Sequence, residues 1–260
     1  MADGDDYVRT SVGSSAADRI TVAGLDLPAD VMGRLSLTEL AFLLVVGREP
    51  RDGERRLLDA VLVSLADHGL TPSALAARLT YTGAPEAPQA AVAAGLLGAG
   101  SVFLGPTGDT ASFLAEALGL RDAEIEDDAL ARIARKAVAD LLDEGARVPG
   151  LGHPVHREID PRTPRLWAIA DEEGLLGPHL RLLAAVADAH AQATGRRLPV
   201  NGAGAAGAVL VDIGVPPSSV RAVVLIARTA GLVAHLAEEA RHPIGRSVWL
   251  ELDERARPLT

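Results

Sequence analysis

Residues 223–239 read VVLIARTAGLVAHLAEE. Apolar side chains recur here at helical spacing, and the run opens behind Pro216, Pro217 and Ser218, so the sequence predicts a helix over 217–241. Arg228 and His235 interrupt that apolar stripe. An arginine placed there must either snorkel to solvent or meet a buried anion.

Working outward, helix signals dominate from residue 36 onward. Ser36, Leu37, Thr38 and Glu39 form a capping-box pattern before the apolar stretch Leu40 to Val46 and a stop at Gly47. Asp52 can cap a helix carrying Leu57, Leu58, Val61, Leu62 and Leu65 on one stripe, ending near His68 and Gly69. Thr71 and Pro72 begin another. Residues 87–100 form an alanine- and glycine-rich helix, and further helices fit 127–144, 164–173, 179–194 and 203–213. Strand-like alternation is confined to ITVAGLDL at 20–27 and SVWLEL at 247–252.

Composition agrees with packed helices. The 260 residues are 48% hydrophobic but only 3% aromatic, the surplus being alanine, leucine and valine. The net charge of −10 argues against nucleic acid as the main partner, because neutralising phosphates needs a basic face. With no cysteine there are no disulfides, thiolate metal sites or cysteine nucleophiles. The first ten residues carry no apolar signal region, and no apolar run approaches the roughly 20 residues that span a bilayer. The expected location is the cytoplasm, with no membrane partner.

Two loops hold the unusual chemistry. Val148 to Arg162 reads VPGLGHPVHREIDPR, with two histidines and two arginines after a glycine- and proline-rich turn. It fits either a solvated basic loop or an anion site in which an imidazole meets a carbonyl and the arginines hold charge. Asn201 to Gly207, NGAGAAG, contains the spacing of a dinucleotide fingerprint. No strand precedes it and no βαβ alternation surrounds it, so close helix packing explains these glycines better. His68 at a helix end reads as a capping histidine. No zinc spacing or nucleophile elbow is present.

In order along the chain stand LTE at 37–39, ADHG at 66–69, AAR at 76–78, GHPVHREIDPR at 152–162, Asn201 at a helix start, and ARTAGLVAH at 227–235 with Arg246 behind. Together these resemble the citrate synthase superfamily, in particular its short citryl-CoA lyase-like members, from about Tyr7 to Trp249. The resemblance implies an all-α, citrate synthase-like fold of two lobes. The large one would comprise 1–105 and 208–260, the small one 106–207. It also implies a homodimer that takes a carboxylate and an acyl-CoA, with a coenzyme A thioester as substrate and no tightly bound cofactor or metal. His153 matches the histidine that polarises the reacting carbonyl or hydroxyl, and His68 one that contacts the oxaloacetate or citrate moiety. Arg162 and Arg228 match carboxylate-binding arginines, Arg157 one near the CoA phosphates, and Arg246 one that reaches across the dimer.

Two departures bear on activity. Gly100 to Gly105 reads GSVFLG, placing Phe103 where synthases carry an enol-stabilising histidine, a change shared with citryl-CoA cleaving relatives. Ala203, in Asn201-Gly202-Ala203, stands where the family has its aspartate base. Asp212, nine residues on, lies too far along a continuous helix to substitute. The expectation is a carbon–carbon lyase acting on a citryl-CoA-like thioester. The alternatives are the same fold acting on a bulkier acyl-CoA, and a binding subunit without catalysis.

Overall fold

The computed structural model describes residues 9–119 and 125–257. Among them are eleven α-helices: α1 (Leu37–Val46), α2 (Asp52–Ala66), α3 (Pro72–Gly83), α4 (Pro88–Ala99), α5 (Gly105–Leu118), α6 (Asp127–Asp143), α7 (Arg162–Glu172), α8 (Pro178–Thr194), α9 (Gly202–Asp212), α10 (Pro217–Arg241) and α11 (Gly245–Arg255). The all-α class holds. A small sheet precedes them, with β1 (Gly13–Ser15), β2 (Ile20–Val22) and β3 (Leu25–Asp26) paired antiparallel in that order. The segment expected as one strand over 20–27 folds into a hairpin instead, because Ala23 (φ 51°) and Gly24 (φ 81°) take the positive φ angles of a two-residue turn.

Local chemistry sets the helix ends. The Ser36 hydroxyl accepts from the Glu39 amide (3.2 Å) while the Glu39 carboxylate accepts from the Ser36 amide (2.7 Å), which is the reciprocal cap read from sequence. Gly47 closes α1 in the left-handed conformation (φ 84°). Thr71 caps α3, with Pro72 in its first turn.

The residues 247–252 are helical, contrary to the strand reading. The Glu239 carboxylate of α10 accepts from the amides of Ile244 (2.9 Å) and Gly245 (2.8 Å), capping α11 from another element. The helix α5 went unread, because Gly105, Pro106, Thr107 and Gly108 look like a turn. A single turn of π geometry over 100–104 leads into it.

The core is one cluster in which Leu57, Leu58, Leu114, Leu180, Leu183 and Leu210 are fully buried. Glycines set the spacing of its central helices. A Cβ on Gly207 of α9 would lie 2.4 Å from the Thr107 carbonyl oxygen of α5, and one on Gly231 of α10 would lie 2.0 Å from that of Ala66. Of the glycines in GAGAAG, Gly207 serves helix contact as expected, while Gly204 admits the Gly150 backbone of the 148–162 loop and Gly202 the Arg162 guanidinium. A smaller cluster of Ala77, Ala91, Leu232 and Leu236 joins α3, α4 and α10.

Two helical stretches, Pro88–Leu118 and Pro217–Arg241, do reach span length with few charges, which corrects the expectation that no apolar run comes close. Half of the second is buried within the protein, and it carries buried Arg228, His235 and Glu239. Its apolarity serves the core that surrounds it.

Candidate active site

Five segments meet at one cleft: the residues after α2, the loop before α7, the first turns of α7 and α9, and the middle of α10. α2 ends at Ala66 with Asp67 in an extended conformation, so His68 stands just beyond the helix, with its ring still drawn to the Ser64 backbone of the last turn. The Asp67 carboxylate accepts from the Gly69 amide at 2.8 Å and fixes this turn.

The 148–162 loop is fastened to the segment before α9. Gly152 donates to the Pro199 carbonyl (2.8 Å), and Asn201 donates through its amide to the Gly150 carbonyl (2.9 Å). The Asn201 side chain caps α9 by accepting from Gly204 (2.8 Å) and donates to the Gly152 carbonyl (2.8 Å). One side chain thus starts a helix and steadies the residue before His153. Gly150 (φ 82°) and Gly152 (φ 78°) supply the left-handed turns the loop requires.

His153 is assigned a tautomer by this loop. Its Nδ1 accepts from the backbone amides of Val155 (3.1 Å) and His156 (3.0 Å). The neutral ring therefore carries its proton on Nε2 and presents a donor outward. Desolvation, then His156 and Arg162, lower its pKa against the opposing pull of Asp160, which favours that neutral form.

Asp160 is the hidden organiser. It is fully buried and accepts from Arg162 through the amide (3.1 Å), Nε (2.9 Å) and Nη2 (2.7 Å), and from the Gly202 amide (2.8 Å). Burial alone would raise its pKa, but the guanidinium and amides hold it far below the usual carboxylate range. The clasp leaves Arg162 Nη1 to meet His68 Nε2. It also explains Gly202, where a Cβ would sit 2.4 Å from Arg162 Nε.

Arg228 closes the cleft from α10 at only 4% exposure. Its Nη2 lies 3.4 Å from His68 Nδ1, while Nε and Nη1 have no hydrogen-bond acceptor. The nearest carboxylate, Asp67, is 3.9 Å from Nη1 and is already bonded to His235 Nε2 at 2.8 Å. Burial presses the Arg228 pKa down, though a guanidinium stays charged in any protein setting. A buried cation with two empty donors is a strong acceptor site for an anion. Desolvation and the two guanidiniums also lower the pKa of His68, so both imidazoles favour the neutral form.

His68 thus bridges Arg162 and Arg228, and His153 stands beside the Asp160 clasp, where the ligand atoms of His153, His156 and Asp160 lie within 4.8 Å of one another. That trio does not make a cation site, because both Asp160 oxygens are engaged and Arg162 adjoins them. Arg157 lies exposed on the same loop, Arg246 exposed on α11, and Phe103 exposed in the turn before α5. None of these three makes a hydrogen bond into the cluster among the described residues. Ala203 is half-buried at the start of α9, one residue from the Arg162 guanidinium packed on Gly202. Asp212 is committed elsewhere. It accepts from the amides of His179 (3.0 Å) and Leu180 (2.9 Å) at the start of α8. The sequence reading missed Asp160, Asp67 and His235 as parts of the site. Only the Asp-x-Arg spacing at 160–162 hinted at the first.

The chain is similar in sequence and fold to known proteins. A family model described as the C-terminal domain of citrate synthase matches residues 15–248. The putative citrate synthase 2 of Mycobacterium bovis is 33% identical over 221 residues, 83% of this chain and 56% of that protein, so the chain spans just over half the length of the curated relatives it matches. The structure of citryl-CoA lyase from Hydrogenobacter thermophilus superposes with a TM-score of 0.80 at 30% identity, covering 90% of this chain and 88% of that one. ATP citrate lyase from Methanothrix soehngenii, solved with citrate and coenzyme A, superposes with a TM-score of 0.73 at 19% identity over 93% of this chain and 40% of that one, a likeness of fold alone. The helical architecture and the order of the motifs agree with the match over residues 15–248, and the chain belongs to the citrate synthase family.

Proposed function

We propose that this protein is a citryl-CoA lyase-like enzyme that breaks, and in reverse forms, the carbon–carbon bond of a carboxylated 3-hydroxyacyl-CoA. The observation that carries the reading is Arg228, a buried guanidinium with two donors left without an acceptor, next to His68, which also meets Arg162. Two guanidiniums placed this way hold carboxylates by charge-assisted bonds. The Nε2–H of His153 then stabilises charge on the reacting oxygen as the hydroxyl becomes a carbonyl. The 30% identity to a citryl-CoA lyase over most of both chains supports that substrate class.

Charge bookkeeping bears on assembly. Asp160 neutralises Arg162 and Asp67 partly offsets Arg228, so one chain's cleft holds little net positive charge for a tricarboxylate. A homodimer in which Arg246 enters the neighbouring cleft would supply the missing cation, and Arg157 would meet the CoA phosphates. His68 and Arg228 belong to the proposed large lobe (1–105 and 208–260), His153 and Arg162 to the small one (106–207). Closure of one lobe on the other would bring the four groups onto the substrate and exclude water.

The direct test is incubation with citryl-CoA, followed by assay for oxaloacetate and acetyl-CoA. Both products should form in equal amounts. No product above background, with citrate still raising the melting temperature, would leave a binding subunit in place of a lyase.

A further inference from the structure

The family's aspartate base is absent at Ala203, so the proton that cleavage must move has no carrier by that route. Cleavage of a 3-hydroxyacyl thioester needs one net transfer: the hydroxyl proton leaves oxygen, and the α-carbon of the departing thioester gains a proton. A single acid–base group that reaches both atoms suffices.

The titratable groups around the cleft can be taken in turn. Asp160 is locked by four donors. Asp67 is held by His235 and the Gly69 amide. His68 lies between Arg162 and Arg228. His153 has its Nδ1 occupied by two amides and offers only a donor. Asp212 caps α8. His156 is left. Its ring stacks on His153 with centroids 4.5 Å apart and planes 27° apart, it is half-buried, and among the described residues its ring nitrogens have no hydrogen-bond partner.

From these positions we infer that His156 is a further catalytic residue, the single proton shuttle of the reaction. The inference rests on the lyase reading above. The neutral His156 ring takes the substrate hydroxyl proton as the C–O bond becomes C=O and the carbon–carbon bond breaks. The bonding pair passes into the thioester as an enolate, and His153 Nε2–H holds the developing carbonyl oxygen. The imidazolium of His156 then returns the proton to the α-carbon, giving acetyl-CoA and a neutral ring. Atoms and charge balance with no other reactant. Geometry permits it, because the α-carbon is two bonds from the oxygen that His153 binds, and a ring stacked on His153 borders the same point.

The test compares His156→Ala and His156→Gln with the wild-type protein on citryl-CoA. The expected result is a kcat lower by about 10²–10⁴-fold with KM little changed, the usual cost of losing a positioned acid–base group. Added imidazole should restore part of the His156→Ala rate, and the citrate-induced rise in melting temperature should persist in both variants. Exchange of acetyl-CoA methyl protons with D2O in the presence of oxaloacetate should fall in parallel. Variants that cleave within about threefold of wild type would overturn the shuttle and leave the lyase reading standing. A loss that imidazole does not restore, or one accompanied by loss of the citrate response, would make His156 structural and overturn the shuttle as well. A wild-type protein with no cleavage overturns both.

Discussion

At the scale of single residues, the cleft is a set of charges held out of balance. Arg228 is buried with two donors unanswered, so replacing it removes a desolvation cost while removing ligand contacts. Arg228→Met should leave ligand-free melting unchanged or higher, and should weaken citrate by about 1.5–3 kcal/mol, roughly 10- to 150-fold. Calorimetric titration with thermal melts checks both. The imidazoles supply a pH test. His68 and His153 have folded-state pKa values below their ordinary 6.5, so the unfolded chain binds protons first as pH falls. Their contribution to stability is complete above about pH 6.5 and is lost below it, so ligand-free melting should drop between pH 7 and 5.5. Citrate should reduce that drop, because an anion beside the rings favours their protonated forms. Glycine-rich loops and an interrupted apolar stripe made His153, Arg162 and Arg228 legible in the sequence. Asp67 and Asp160 were not, since an acidic residue in a chain with 35 of them carries no mark until its partners are placed.

At the scale of elements, close backbone approach and borrowed caps decide stability. A methyl at Gly231 would meet the Ala66 carbonyl oxygen at 2.0 Å, and a backbone atom cannot yield as a side chain does. Gly231→Ala should cost about 3 kcal/mol, the upper end for overpacking, and should displace both Arg228 and the turn bearing His68. Urea unfolding measures the first effect and citrate affinity the second. Asp212 caps α8 from another helix, so Asp212→Ala should destabilise by about 2–3 kcal/mol with little effect on citrate affinity. The same logic explains what was misread. SVWLEL alternates like a strand, yet Glu239 supplies the helix cap from the last turns of the preceding helix, and Leu250 and Leu252 stay exposed on α11. The start of α5 has turn-like residues, but Gly108 admits Arg221 of α10 to 3.3 Å of its would-be Cβ, and packing overrides local preference.

At the scale of the whole molecule, the proposed dimer is the main open prediction. The packed helices α4 and α10 expose Leu97 (81%) and Val233 (53%), and α11 exposes Trp249 (59%). Sedimentation equilibrium should give about twice the 26.9 kDa chain mass. Arg246→Ala should keep that mass while weakening citrate by about tenfold, the worth of one charge-assisted contact. The sequence by itself determined the helical class, most helix ends and the family, because apolar period, caps and motif order are properties of neighbours along the chain. Only the tertiary structure decided that Asp160 clasps Arg162, that Arg228 is left with open donors, and that α11 is a helix. The Gly202 amide that completes the clasp and the His68 ring beside Arg228 come from distant segments, and α11 takes its cap from the end of α10, so none of the three leaves a pattern within its own stretch.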